Sequence, residues 1–441
     1  MNKSIQHFAL IFLFTVGTGN FTSAAPDRTT AAHDPMPTKI PDHIILTWSD
    51  DPATTQSVTW RTDTSIVESY GEIARADASP NFIHYTNIID AKTENFLLDD
   101  YCANYHSITF TNLHPNTLYL YRVGSEDNWR SEWFQFRTAS RESEPFTFIY
   151  LGDGQNNLLS MWSRSIRGAY SAAPDARFII HAGDLVSFSD SYLQWSKWFE
   201  AAGWINGMAP SIPVPGNHEY YHGSGKKRYL TDYWRPQFTL PENGIDSLPE
   251  SNYYIDFQGL RILAMNSNEH LEEQAEWLET VLKDNPNRWT IATFHHTIYA
   301  ATVNRDHKKL RETWKPLFDK YHVDLVLAGH DHAYSRGHNI DPNIGISDPQ
   351  TGTVYVVSVS GPKMYDLTDD RWMDRAAENT QLYQVISVDQ KTLSYRSYTV
   401  TGELYDAFQV IKKKNKPNKI IDQKPQNFPE RTFQNTLSIP K

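Results

Sequence analysis

Between residues 147 and 332, five apolar segments are each followed directly by a side chain that can bind a metal ion. These side chains are Asp153, Asp184, Asn217, His295 and His330. Segments with helix-compatible patterns separate the apolar runs, for example residues 270–285, where apolar residues recur on one helical stripe. Apolar strands that alternate with helices indicate an α/β sheet buried on both faces. Ligands bind such sheets beyond the carboxyl ends of the strands, so these side chains are predicted to meet there.

The first part of the chain has a different pattern. Residues 38–140 contain short strand-like runs at a spacing of roughly ten residues, which is typical of a β-sandwich. The chain has 441 residues, more than one ordinary core accommodates, and we predict a second domain at residues 144–412. A β-rich stretch from Gly352 to Val410 either completes the α/β sheet or packs a second sheet against it.

Both ends of the chain depart from these patterns. Residues 1–25 combine Lys3, an apolar run and a small-residue cleavage site, which predicts a signal peptide. Residues 413–441 have low hydrophobicity and several prolines, so we predict a disordered or surface-draped tail. The chain has one cysteine, Cys102, and no N-x-S/T acceptor after residue 25. This combination favours a bacterial protein that is secreted or periplasmic.

Net charge and hydropathy exclude two classes of partner. With 41 basic and 52 acidic residues the formal charge is −11, whereas proteins that bind the nucleic-acid backbone rely on clustered Lys and Arg. No segment after the signal peptide is long and apolar enough to span a bilayer. We therefore expect neither nucleic acid nor membrane as a partner. The oligomeric state is left open.

The residue types at the strand ends indicate metal chemistry. Carboxylate, amide and imidazole ligands together suit Zn, Mn or Fe. Two such ions about 3.5–4 Å apart clamp a phosphate ester and lower the pKa of bound water from about 15.7 to about 7. Asp184 is the natural bridge, because a carboxylate has two charged oxygens to share. The pattern predicts hydrolysis of a small phosphorylated substrate.

The motifs around these ligands resemble those of a known family. Gly152-Asp153, Gly183-Asp184, Gly216-Asn217-His218-Glu219, the strand end at His295 and Gly329-His330-Asp331-His332 are similar to the five blocks of the calcineurin-like metallophosphoesterases. The sequences GNHEY and GHDHAYSR are closest to the purple acid phosphatase branch. The resemblance implies a fibronectin III-like all-β sandwich followed by a four-layer α/β/β/α catalytic domain.

The resemblance also implies a role for each motif residue. One metal ion would be held by Asp153, Asp184 and His332. The other would be held by Asp184, Asn217, His295 and His330. His218 would contact the phosphate or protonate the leaving group. His295 is preferred to His296 because the family pattern H-x-P-x-Y places the ligand four residues before a tyrosine, here Tyr299.

Two residues depart from the purple enzymes. These enzymes have a tyrosine three residues after the bridging aspartate, where this chain has Ser187. Their glycine two residues after the first aspartate is replaced by Gln155, as in some diphosphatases of the superfamily. An amide oxygen can occupy the position left by the missing tyrosinate. We therefore expect Gln155 to bind the first ion. We also expect an M(II)–M(II) pair rather than Fe(III)–M(II), and no purple colour.

Hydrolysis of phosphate monoesters is the function that these residues favour. A phosphodiesterase or a nucleotide-type diphosphatase on the same fold is the first alternative, suggested by Gln155. A non-catalytic surface binding module is the second, although no ligand position carries an apolar residue.

Overall fold

A computed structural model describes residues 35–126, 129–221, 228–338, 352–368, 372–413 and 418–432. The predicted signal peptide, residues 1–25, lies outside the described residues. Within the part that is described, no helix is both long and apolar enough to cross a membrane.

Eight strands near the N-terminus form two four-stranded antiparallel sheets, ordered β1-β2-β6-β5 and β4-β3-β7-β8. They are β1 (Asp42–Thr47), β2 (Gln56–Thr62), β3 (Tyr70–Arg75), β4 (Asn87–Asp90), β5 (Lys92–Leu98), β6 (Tyr101–Phe110), β7 (Leu118–Gly124) and β8 (Phe134–Arg137). The inner faces bury Trp60, Phe110 and Tyr121. The predicted β-sandwich is confirmed.

The rest of the chain mixes strands and helices. The strands are β9 (Phe146–Leu151), β10 (Ile179–His181), β11 (Ser211–Pro213), β12 (Tyr220–Tyr221), β13 (Tyr229–Leu230), β14 (Tyr253–Phe257), β15 (Leu260–Ala264), β16 (Trp289–Thr293), β17 (Leu325–Ala328), β18 (Tyr334–His338), β19 (Val354–Val357), β20 (Met373–Ala377), β21 (Leu382–Val388), β22 (Thr392–Thr399), β23 (Leu404–Ile411) and β24 (Lys419–Asp422). The helices are α1 (Ser163–Ala172), α2 (Tyr192–Ala202), α3 (Trp234–Gln237), α4 (Leu271–Lys283) and α5 (Lys308–Tyr321).

Two seven-stranded sheets form the centre of this second domain. Their orders are β11-β10-β9-β21-β22-β23-β24 and β14-β15-β16-β17-β19-β18-β20. Strands β9 to β11 run parallel to one another, as do β15, β16, β17 and β19. The β-rich stretch from Gly352 therefore contributes to both sheets: β19 and β20 complete the second, and β21 to β23 extend the first.

The apolar residues of the second sheet divide between its two faces. Leu263, Ala292 and Val326 share a buried cluster with side chains of α4 and α5. Residues one position earlier along these strands, such as Ile262 and Ile291, belong to the larger core that includes the first sheet, α1 and α2. This alternation follows from the two-residue period of a strand. The predicted four-layer α/β/β/α fold is confirmed.

The C-terminal segment is more ordered than its composition suggests. Strand β24 pairs with β23 at the edge of the first sheet. Nearby, Lys412 Nζ and Asn418 Nδ2 lie 2.6 and 2.5 Å from Oδ1 of Asp324, which is fully buried. Backbone pairing and contacts to one buried carboxylate thus hold residues 418–432 against the first sheet, although this segment has few apolar side chains.

One apolar core joins the sandwich to the catalytic domain. The ring of Trp48, after β1, lies 6.0 Å from that of Phe178 and 5.5 Å from that of Phe257. Thr47 Oγ1 also donates a hydrogen bond of 2.6 Å to Thr239 O. Trp48 is 1% exposed, so this contact is buried from solvent to the same degree as the interior of a domain.

Candidate metal centre

The carboxyl ends of the parallel strands in both sheets meet at one place. From the first sheet, the turns after β9, β10 and β11 carry Asp153, Gln155, Asp184, Asn217 and His218. From the second sheet, the turns after β16 and β17 carry His295, His330 and His332. Short contacts connect these side chains across the two sheets. The structure thus brings together all eight residues that the sequence singles out.

Two overlapping groups of candidate ligands share one carboxylate. The ligand atoms of Asp153, Asp184 and His332 all lie within 4.8 Å of one another, and so do those of Asp184, His295 and His330. Asp184 Oδ1 lies 3.3 Å from His295 Nε2. Asp184 is the residue that both groups contain.

The remaining candidates complete these two groups. Asn217 Oδ1 lies 3.1 Å from His295 Nε2, which in turn lies 3.0 Å from His330 Nδ1. On the other side, Gln155 Nε2 lies 2.7 Å from Asp184 Oδ2 and 3.2 Å from His332 Nε2. The amide of Gln155 is therefore placed against the first group, and that of Asn217 against the second.

The backbone of the turns is held in an unusual conformation. Asp153, Asp184, His330 and His332 all have positive φ, between 40° and 72°. Such angles are uncommon outside glycine and persist where the surrounding structure imposes them. A Cβ at Gly216 would lie 2.3 Å from Asp184 Oδ1, so the glycine before Asn217 is needed for close approach of the two turns.

The buried polar atoms of the site fit cations. Asp153 Oδ1 and Gln155 Oε1 are buried and have no hydrogen-bond partner within the described structure. Burial, with Asp184 nearby, raises the pKa of Asp153 well above its ordinary value. Burial acts to raise the pKa of Asp184 too, but the charges and hydrogen bonds of His295 and His218 together outweigh it and lower that pKa. Unpaired carboxylate and amide oxygens beside imidazoles form a donor set that suits divalent metal ions.

Backbone carbonyls orient the histidines of the site. His295 Nδ1 donates to Ala182 O and His332 Nδ1 to Lys363 O, each at 3.0 Å. These bonds leave Nε2 of both rings facing the carboxylates, as neutral imidazole ligands require.

Comparison with known proteins agrees with this arrangement. The family model described as calcineurin-like phosphoesterase matches residues 109–334. A second, described as the N-terminal domain of purple acid phosphatases, matches residues 41–138. The chain belongs to the calcineurin-like phosphoesterases.

Individual relatives of this calcineurin-like phosphoesterase are distant. An uncharacterized protein of Mycobacterium tuberculosis is 26% identical over 303 residues, which cover 57% of this chain and 56% of that protein. The Fe(3+)-Zn(2+) purple acid phosphatase 12 of Arabidopsis thaliana is 28% identical over 67% of this chain and 65% of that protein. The chain thus matches little more than half the length of the first of these curated relatives.

A solved structure has the same fold. The purple acid phosphatase from yellow lupin (Lupinus luteus) seeds superposes with a TM-score of 0.72, covering 91% of this chain and 76% of that chain. Sequence identity is 17%. The sandwich and the phosphoesterase domain therefore belong to one known architecture.

Glu219 has a positioning role that its motif alone did not show. Its Oε2 accepts hydrogen bonds from the backbone N–H groups of Asp184 at 2.8 Å and Gly216 at 2.7 Å. Its Oε1 accepts from Leu185 N at 2.8 Å and Val186 N at 3.3 Å. Burial, and then the charge of Asp184, raise the pKa of this carboxyl to about 7. Glu219 thereby connects the turn of Asp184 to that of Asn217.

Other residues near the motifs differ in how close they lie to the ligand groups. His296 and His307 have their rings 4.4 and 4.9 Å from that of His330, so they line the second group. Asp306, the residue before His307, is exposed and pairs with Arg311 at 2.6 Å. The Ser187 hydroxyl donates to Asn156 Oδ1 and does not face the ligand groups.

Proposed function

We propose that this protein is a secreted phosphatase that hydrolyses small phosphate monoesters at a centre of two divalent metal ions, Zn, Mn or Fe. Residues 38–140 would form its fibronectin III-like domain and residues 144–412 its catalytic domain. The observation that carries the proposal is the position of Asp184 in both ligand groups. Two ions that share a carboxylate are suited to phosphate-ester hydrolysis.

Each proposed ion has its own set of ligands. The first would be held by Asp153, Gln155, Asp184 and His332, and the second by Asp184, Asn217, His295 and His330. When bound, two such ions supply a hydroxide nucleophile near neutral pH and neutralise the charge of the phosphate oxygens. The chain itself contributes the fixed positions of these ligands, which the carbonyl groups and Glu219 maintain.

Gln155 and Ser187 support a divalent pair. Gln155 is fully buried, its Nε2 contacts Asp184 and His332, and its Oε1 has no hydrogen-bond partner in the described structure. Ser187 offers no anionic oxygen. Without a tyrosinate, the ligands of the first ion carry less negative charge, and this favours M(II) over Fe(III) in the first position.

His218 is placed to act on the leaving group. Its Nδ1 donates to Ser187 O at 2.7 Å, and its Nε2 lies 3.9 Å from Asp184 Oδ2. The side chain is 28% exposed, so it borders both the ligand groups and the solvent. Such a ring can transfer a proton to a departing alkoxide.

Replacement of His218 should affect poor leaving groups most. We expect His218→Asn to lower kcat for an alkyl phosphate by about 100-fold, because alkoxide departure needs a proton. The loss for nitrophenyl phosphate should be much smaller, since nitrophenolate leaves unaided. His270→Asn, at an exposed histidine, should change neither rate. Equal losses of kcat for both substrates would contradict a proton-transfer role for His218.

Metal content and absorption separate the main alternatives. We expect purified protein to contain about two divalent ions per chain and to show no purple absorption band. A value near zero would favour the non-catalytic binding module. A purple band would contradict the interpretation of Ser187.

Turnover assays decide the reaction class. Nitrophenyl phosphate, bis-nitrophenyl phosphate and a nucleoside diphosphate compound should be compared at matched concentrations. We expect the monoester to have the highest kcat/KM. Preference for the diester or the diphosphate would favour the alternative that Gln155 suggested, on the same metal centre.

A further inference from the structure

A loop that follows β19 is fixed to both metal-ligand turns. Gly361 N donates to Asp153 O at 2.8 Å. His332 Nδ1 donates to Lys363 O at 3.0 Å, and Tyr365 N donates to His332 O at 3.0 Å. The loop around Lys363 and Tyr365 is therefore part of the rim of the site.

Lys363 brings a positive charge to this rim. Its Nζ lies 5.5 Å from the centre of the Tyr365 ring, and it forms no ion pair with any residue that the structure describes.

Arg305 brings a second cation to the same ring. Its guanidinium carbon lies 5.0 Å from the centre of the Tyr365 ring. Its Nη1 donates to His330 O at 2.8 Å and to Asp331 Oδ1 at 3.3 Å, and these bonds fix the group in place. The side chain is 25% exposed, so part of the guanidinium still faces solvent.

Both charges lie outside the ligand groups. Tyr365 contacts the ring of His332, with 4.8 Å between ring centres, and the two cations contact Tyr365. In the described structure, neither charge is hydrogen-bonded to the side chain of a candidate ligand. They are therefore suited to an anion next to the scissile phosphate rather than to that phosphate itself.

We infer that Lys363 and Arg305, grouped around Tyr365, form a subsite for a second phosphate group on the substrate. The inference rests on the proposed phosphatase function and narrows its substrate class to esters with an additional phosphate. Guanidinium and ammonium groups are the side chains that recognise phosphate, and Arg does so with fixed geometry.

Matched substrates test the subsite. We would measure kcat and KM of the metal-loaded protein with a hexose monophosphate and the corresponding hexose bisphosphate. We expect the bisphosphate to have a kcat/KM about tenfold higher or more, mainly through KM, because the second group adds binding energy away from the reacting atoms. Competition by inorganic pyrophosphate should also be stronger than competition by inorganic phosphate.

Variants of Lys363 locate the effect. Lys363→Ala should reduce the bisphosphate preference by about tenfold, and Lys363→Arg should restore most of it. Lys391→Ala, on the β21–β22 turn, should keep both rates and the preference. Lys363→Ala should also remove the advantage of pyrophosphate over phosphate as a competitor.

The outcomes distinguish this inference from the function on which it rests. Hydrolysis of the monophosphate without any bisphosphate preference would overturn the subsite and leave the phosphatase intact. Equal loss for both substrates in Lys363→Ala would assign the lysine to the scissile phosphate and would also overturn it. Absence of turnover with every ester would contradict the proposed function itself.

Discussion

Asp184→Asn should lower kcat for nitrophenyl phosphate by about 10⁴-fold, a loss of about 5 kcal/mol in transition-state stabilisation. Asp184 is the carboxylate common to both ligand groups, so the change removes a negatively charged ligand from both proposed ions at once. The amide keeps the size of the side chain but offers one neutral oxygen. We expect metal content, measured by elemental analysis, to fall from two ions per chain to one or none.

Asp306→Asn is the matched control, because it makes the same change at an exposed carboxylate paired with Arg311. It should keep normal turnover and metal content. Circular dichroism of Asp184→Asn should show a folded protein. If Asp184→Asn retained full activity at two ions per chain, the dinuclear assignment would be wrong.

Glu219→Gln should reduce both stability and metal affinity. Whichever carboxylate oxygen becomes the amide NH2, two buried backbone N–H groups lose their acceptor. Each unsatisfied buried donor costs about 1–3 kcal/mol, so we expect the free energy of unfolding to fall by about 3 kcal/mol or more. The turns of Asp184 and Asn217 would lose their common support, and the Kd for metal should rise by about 10- to 100-fold.

Urea denaturation with and without a chelator measures the two effects separately. Glu276→Gln, on the exposed face of α4, is the control and should shift neither midpoint. Because Glu219 contacts backbone rather than any proposed ligand side chain, excess metal should restore much of the activity of Glu219→Gln. Failure of excess metal to restore activity, with the protein folded, would mean that Glu219 does more than support the turns.

The strand-end ligands could be predicted because they follow from a local pattern. An apolar run that ends in Gly-Asp or Gly-His specifies both the strand and the edge at which the side chain emerges. The sandwich and the order of the layers follow in the same way from strand spacing and from the resemblance of the motifs.

The supporting residues could not be predicted, since their roles depend on how separate turns meet. Glu219 lies two residues after Asn217 in sequence, yet three of the four backbone N–H groups that its carboxylate accepts from belong to residues 184–186. Lys363 and Arg305 have no motif, and only the packing of Tyr365 against His332 brings them together. The ordered segment after residue 418 depends on Asp324, which is almost a hundred positions earlier.

The core shared by the two domains has a consequence for how the chain unfolds. Phe178 and Phe257 are buried partly by Trp48, so a fragment that lacked the sandwich would expose aromatic surface to water. Exposed apolar patches of this kind promote aggregation. The sandwich thus contributes to the stability of the phosphoesterase domain. Its strands and the phosphoesterase layers are expected to melt in one cooperative transition.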